Sequence, residues 1–402
     1  MAERRLLIYS HDSFGLGHLR RCRSIAQSLV QKNPDLNVLI LSGLPLIASY
    51  MFDERVSFRL VPGIIKTQDG DYQPIGGESD IRDVIEARSQ VILDTAREFK
   101  PDVFLVDKEP LGVRGEVLDT LVYLKSIGTP VVLGLRDVMD DPVLFAAEWS
   151  RKQAVPAIEE YFEEVWVYGL KELYEPLRGL KLSNSVKEKL VYTSYLRREE
   201  NAEPLEQPLE IDPPFLLVTP GGGGDGEAMV DWVLCGLEAD PTIPLRILIV
   251  CGPFMHADAR AGFEARAAKL SNVTILTFTA GMEHYIEAAA GVVAMGGYNT
   301  FCEILSFDRP ALIIPRTRPR KEQYIRAIEA ERHGLLSVLV DDDACDPHLM
   351  AAALRRVQNQ KRPSEIVIPG LLNGHEIIDA RFNALTRPVE DYSYAPAARA
   401  AT

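Results

Sequence analysis

Strand-like apolar runs alternate with helix-like segments along nearly the whole sequence, and that alternation limits the fold more than any other feature. Parallel strands cannot be joined by tight turns. Each pair needs a crossover, and helices laid over the sheet faces supply it. The pattern predicts strands at residues 6–10, 37–42, 56–61, 103–106, 131–135 and 165–168, and then at 215–219, 246–250, 273–276, 291–294 and 311–315. Helices are expected at 18–31, 45–53, 81–99, 115–126 and 149–161 in the first half, and at 227–238, 260–270, 282–290, 300–307, 321–333 and 347–358 in the second. An α/β chain with two doubly wound, Rossmann-like parallel sheets is the consequence. Residues 197–213 interrupt the pattern with charge and proline and without apolar periodicity, the composition of a linker. The expected boundaries are a first domain at 1–196, the linker at 197–213, a second domain at 214–375, a last helix at 376–387 and a tail at 388–402.

At 402 residues, each half is long enough to bury its own core. No apolar run reaches the roughly 18 residues of a membrane span, and the apolar N-terminal stretch reads as a strand, not as a signal peptide. Cys22, Cys235, Cys251, Cys302 and Cys345 are odd in number and lack metal-ligand spacing. They are expected to be reduced thiols in a cytoplasmic protein, at most peripheral at the inner membrane face, with no metal site and no cofactor. The formal net charge of −14 disfavours a nucleic-acid partner. An anionic small substrate then needs local cations, and residues 315–323 offer Arg316, Arg318, Arg320 and Lys321.

Three glycine-bearing loops each follow a strand and precede a helix, where open α/β sheets bind ligands. In MGGYNTFCEIL (295–305), Gly296 and Gly297 let backbone N–H groups approach an anion at a helix start, where the macrodipole favours negative charge. Glu303 lies one turn below Asn299 and Thr300, placed to accept hydrogen bonds from the vicinal hydroxyls of a ribose; the plainer alternative is a helix N-cap made by Asn299 or Thr300. In TPGGGGDGEAM (219–229), the run Gly221, Gly222, Gly223 and Gly224 suits a diphosphate cradle. In HDSFGLGHLRRC (11–22), Gly15 and Gly17 permit a close turn and His18 stands at the helix entry. The lysine of a GxxxxGK[ST] loop and the GxGxxG fingerprint are both missing, which disfavours P-loop enzymes and simple dehydrogenases.

PGGGGDG, FTAGMEHYIEAAAGVVAMGGYNTFCEIL and EQYIRA, in this order across about 110 residues, make the second half resemble the donor domain of GT-B glycosyltransferases. The branch they resemble is that of the bacterial UDP-GlcNAc:lipid transferase that makes lipid II. The resemblance implies two Rossmann-like domains facing across a cleft and a nucleotide-diphosphate sugar as donor, most naturally a UDP-sugar. It implies base contacts near Phe278 and Met282, ribose binding by Glu303, diphosphate binding by Gly222, Gly223 and Thr300, and sugar contacts from Glu322 and Gln323. The first half fits the acceptor domain more loosely. Its loop GLGHLRRC is closer to the GxGHxxRC form of the nucleotide-sugar hydrolase of pseudaminic acid synthesis.

Sugar transfer needs a base for the acceptor hydroxyl and donors for the diphosphate leaving group. His18 is the candidate base, with Asp12 as a candidate orienting group. Asp107 and Glu109 end one strand, and Arg136 and Asp137 follow another; all four are candidates to line the acceptor pocket. The N–H groups of Gly221–Gly224, with Arg316, are the candidate leaving-group stabilisers. The acid run Asp341, Asp342 and Asp343 reads as a solvated turn. The expected reaction is metal-independent hexosyl transfer to an acceptor hydroxyl of unknown identity; the alternative is hydrolysis, with His18 activating water.

Overall fold

The computed structural model describes residues 3–11, 16–49, 51–67, 71–77, 79–198, 209, 211–279, 281–340 and 344–387. Gly15, Asp12, the Asp341–Asp343 run, most of the linker and the tail lie outside them. Seven parallel strands form the first sheet: β1 (Arg4–Tyr9), β2 (Leu36–Ser42), β3 (Val56–Leu60), β6 (Val103–Asp107), β7 (Val131–Arg136), β8 (Glu164–Tyr168) and β9 (Leu190–Tyr192), ordered β3-β2-β1-β6-β7-β8-β9. A short antiparallel pair, β4 (Ile64–Lys66) and β5 (Tyr72–Pro74), stands apart from it. The second sheet has β10 (Phe215–Thr219), β11 (Arg246–Val250), β12 (Val273–Leu276), β13 (Gly291–Ala294), β14 (Ala311–Ile313) and β15 (Ser337–Val338), ordered β12-β11-β10-β13-β14-β15 and also parallel.

Both orders reverse direction beside the first strand of the sheet. Crossovers leave on one side of β1 and then on the other, between β1 and β6; the same happens between β10 and β13. At such a switch point, the loops at the carboxyl ends diverge and leave a crevice. The loops after β1, β6, β10 and β13 are those that carry His18, Lys108 and the two glycine runs.

Buried strands explain why the elements form as they do. Leu6, Leu7, Ile8 and Tyr9 are all fully buried, as are Leu216, Leu217 and Val218, because helices cover both sheet faces. Helix Gly17–Lys32 turns Leu19, Cys22, Ile25, Ala26, Leu29 and Val30 to the core at near-helical spacing. Each large apolar side chain so buried contributes about 1.5–3 kcal/mol. One apolar cluster crosses from sheet to sheet, with Tyr195 edge-on to Phe301 at 5.1 Å. Helix Gly374–Thr386 returns to the first half: Arg4 donates to Asn383 at 2.6 Å, and Asn33 donates to Asp379 at 2.6 Å.

Differences from the sequence expectation fall where periodicity is shortest. The single helix expected at 149–161 is two, Pro142–Arg151 and Ala154–Tyr161, broken at Gln153 with φ 52°. The first is started by the Asp141 side chain, which accepts from Val143 N–H, and by Pro142 in the first turn. The helix expected at 45–53 is a 3₁₀ turn, Pro45–Ser49. Strands β4, β5, β9 and β15, of two or three residues each, give no period to read.

Candidate active site

At the first switch point, His18 sits on the opening turn of helix Gly17–Lys32 and Asp107 ends β6. His18 Nδ1 lies 2.5 Å from Asp107 Oδ2. A carboxylate only accepts, so Nδ1 carries the hydrogen and Nε2 is left with its lone pair. Arg21, three residues on and hence on the same helix face, donates through Nη2 to Asp107 Oδ1 at 2.5 Å. Asp107 and Arg21 are almost wholly buried, while the His18 side chain keeps 13% of its surface. Burial alone would raise the Asp107 carboxyl; the Arg21 guanidinium and His18 outweigh it and hold it well below the usual carboxylate range. Burial likewise pulls the His18 imidazole down to about 4, against the opposing pull of Asp107. His18 is therefore neutral at physiological pH, oriented by a charged partner and able to accept a proton.

The neighbours are polar and close. His11 is buried with its ring edge-on to His18 at 5.7 Å, and neither of its ring nitrogens has a hydrogen-bond partner among the described residues. Lys108 follows Asp107 with φ 70°, a left-handed backbone that non-glycine residues adopt rarely and mostly where structure around them enforces it. Glu109 is buried and paired with Lys152 at 3.1 Å.

The second switch point is made of backbone. Gly221 and Gly223 have φ of 80° and 89°, and a Cβ on Gly223 would stand 2.3 Å from the Cys251 carbonyl, so only glycine fits. Thr219 Oγ1 accepts from Gly221 N–H at 3.1 Å, folding the loop back over β10. Gly222 and Gly224 are exposed. Gly296 has φ 78° against Ile313, and Gly297 is the N-cap of helix Tyr298–Ser306, whose first N–H groups have no partner within the helix.

Residues 215–366 match the family model of the glycosyltransferase family 28 C-terminal domain. Over 363 residues, the chain is 24% identical to an uncharacterised glycosyltransferase of Methanosarcina mazei, spanning 87% of this chain and 88% of that one. Among solved structures it is similar to MurG of Acinetobacter baumannii, with a TM-score of 0.59 and 14% identity over 95% of this chain and 99% of that one. It is also similar to UGT71G1 of Medicago truncatula complexed with UDP-glucose, with a TM-score of 0.62 and 12% identity over 96% and 99%. The chain has the GT-B fold.

In the GT-B arrangement, the carboxyl ends of the two sheets meet, and here charged side chains bridge them. Asp137, expected to line a pocket, is instead 1% exposed and held by Arg326 through Nη2 at 2.7 Å and Nε at 2.8 Å, with Tyr195 donating to it at 3.1 Å. Arg136 Nη2 reaches Glu322 Oε2 at 3.1 Å, and Arg316 approaches the other oxygen of Glu322 at 3.3 Å while also pairing with Asp225. Burial works against the Glu322 charge, yet Arg136 and Arg316 bring its carboxyl down to about 2. Gln323 accepts from Arg316 N–H at 3.1 Å through its side chain. The basic stretch 315–323 is thus not an open anion cradle: Arg320 faces Asp140 at 3.1 Å and Glu148 at 3.2 Å on the first domain.

The nucleotide residues divide in the same way. Phe278 is exposed and Met282 half-buried, and Thr300 stands on the first turn of helix Tyr298–Ser306. Asn299 donates to the Gly17 carbonyl at 3.0 Å and accepts from Arg198 at 2.7 Å, tying the two domains and the linker start. Glu303, expected to face a ribose, is 1% exposed because Arg20 of the first domain donates to it at 2.5 Å. Burial pushes the Glu303 carboxyl up, with Arg20 opposing. Arg21 and Arg20 are the residues of this candidate site that the sequence reading did not single out. The signal for Arg21 was present in its i+3 spacing from His18, whereas Arg20 needed the position of the other domain.

Proposed function

We infer that the protein is a glycosyltransferase that moves a sugar from a nucleotide-diphosphate sugar, UDP-linked, to an acceptor hydroxyl. The observation that carries this reading is His18, neutral and oriented by the Asp107 carboxylate at one switch point, together with the glycine loop and the helix start at the other. His18 Nε2 takes the proton of the acceptor hydroxyl as its oxygen attacks the anomeric carbon. The bond from that carbon to the diphosphate oxygen breaks, and the diphosphate leaves with both bonding electrons. The loop Gly221–Gly224 and the start of helix Tyr298–Ser306 receive the growing negative charge. Support for a leaving group held without a metal comes from the second switch point, where the backbone N–H groups of the glycine loop and of a helix start suit an anion and offer a cation no ligand.

Donor identity as UDP-sugar draws on the name of the structural relative complexed with UDP-glucose and on the resembling blocks around Phe278 and Glu303. The buried thiols of Cys251 and Cys302 suit a reducing cytoplasm. Among the described residues, no helix is long and apolar enough to cross a membrane. A panel of UDP-, GDP-, ADP- and dTDP-sugars, followed by thermal shift, tests the donor: at a hundred times its dissociation constant, a true donor raises stability by about 2.7 kcal/mol. Product analysis with labelled sugar then separates transfer from hydrolysis. Free sugar as the sole product with every acceptor class supplied would overturn transfer.

A further inference from the structure

The opening turn of helix Gly17–Lys32 is gripped from two sides. His18 and Arg21 face Asp107 of their own domain. Gly17 and Arg20 face the other domain, where Asn299 donates to the Gly17 carbonyl at 3.0 Å, and Arg20 Nη2 donates to Glu303 at 2.5 Å and to Glu283 at 3.2 Å. Residues 17 and 20 are three apart and residues 299 and 303 four apart, so the two rungs lie on facing sides of two helices that meet at their first turns.

We propose that Arg20 is a positioning residue for the transfer reaction: it holds Glu303 until the ribose of the donor takes that carboxylate, and its remaining tie to Glu283 then keeps His18 in place. The proposal rests on the reading of Glu303 as the ribose acceptor. Glu303 has 1% of its surface exposed, so ribose hydroxyls reach Oε1 only as the guanidinium withdraws. Arg20 has room to do so, with 29% of its side chain exposed against 2% for Arg21. Glu283, with 22% exposed, lies within reach of the same nitrogen, so the bridge slides from one carboxylate to the other without parting. Donor entry and base placement are thereby linked through one side chain two residues from His18.

This predicts opposite effects on binding and turnover, which a merely structural role would not produce. Calorimetric titration with UDP and initial rates with the donor are measured for Arg20→Ala, Arg20→Lys and Glu303→Gln, with Arg20→Gln as a variant that keeps side-chain length should Arg20→Ala fold poorly. Removing the competing guanidinium in Arg20→Ala tightens UDP about fivefold, the scale of one partly exposed ion pair. The same variant lowers kcat about tenfold, and Arg20→Lys falls between it and the wild type on both axes. Weaker UDP binding in Arg20→Ala, or an unchanged kcat, overturns the proposal. If Glu303→Gln binds UDP as the wild type does, the ribose assignment is wrong, and the role of Arg20 falls with it for that distinguishable reason.

Discussion

The two switch points share a topology and differ in what fills them. Beside β1 and β6, titratable side chains crowd together: His18, Asp107, Arg21, His11 and Glu109, most of them buried. Beside β10 and β13, the crevice is lined by glycine backbone at positive φ and by a helix start. Proton transfer needs a side chain whose pKa its surroundings can tune, so it calls for buried charge partners. Holding a diphosphate needs several N–H donors at close approach, and any Cβ would stand in the way. One fold used twice therefore yields a half lined by buried titratable groups and a half lined by backbone, which the proposed transfer would use for the proton and for the diphosphate.

The sharpest way to break that division is His18→Ala. Turnover should fall on the order of a thousandfold while the UDP dissociation constant stays as it is; if both move together, the two halves do not have separate tasks. Gly223→Ala strikes the other half. With φ 89° and a carbonyl 2.3 Å from the new methyl, it should cost about 1–3 kcal/mol in thermal unfolding and sharply weaken UDP binding. The pH profile of kcat/KM in residual activity should stay unchanged.

The pH profile sharpens the first half. Since His18 titrates near 4 and not at its ordinary 6.5, the base remains unprotonated, and kcat/KM should hold from neutrality down to about pH 5 before falling. A limb centred at 6.5 would show a solvated imidazole. The same depression affects stability with a definite sign: between pH 6.5 and about 4, the unfolded chain takes up a proton on His18 that the folded chain refuses, so the native state loses stability as pH falls through that window. The smallest effect on turnover is expected at the bridge between the halves. Glu322→Gln, which removes the carboxylate charge from the largely buried pairs with Arg136 and Arg316, should raise the donor KM and lower unfolding stability by about 3 kcal/mol, more than an exposed pair contributes.

Much of this was readable from the residues. Strands β10, β11, β12 and β13 and helix Ile81–Phe99 lie where apolar periodicity put them, because a buried strand needs a run of apolar residues and a half-buried helix an apolar stripe. The glycine runs were legible for a related reason: after a strand and before a helix, consecutive glycines have few other uses. Orientation of His18 was not legible, since Asp107 lies 89 residues away and comes beside it only through the pairing of β1 with β6. Asp137 and Arg316 looked like pocket residues and turned out to be engaged by Arg326, Asp225 and Glu322, a matter of how two domains meet.

Taken alone, the sequence determined two doubly wound sheets and the kinds of group at their carboxyl edges, because periodicity and loop chemistry are local and each segment carries its own. Which charged group meets which was decided by tertiary structure alone. His18 with Asp107, Arg20 with Glu303 and Arg326 with Asp137 are each set by strand order and by the docking of one domain on the other. A charge can find its partner at any sequence distance, and the energy of the pair depends on burial that no single segment controls.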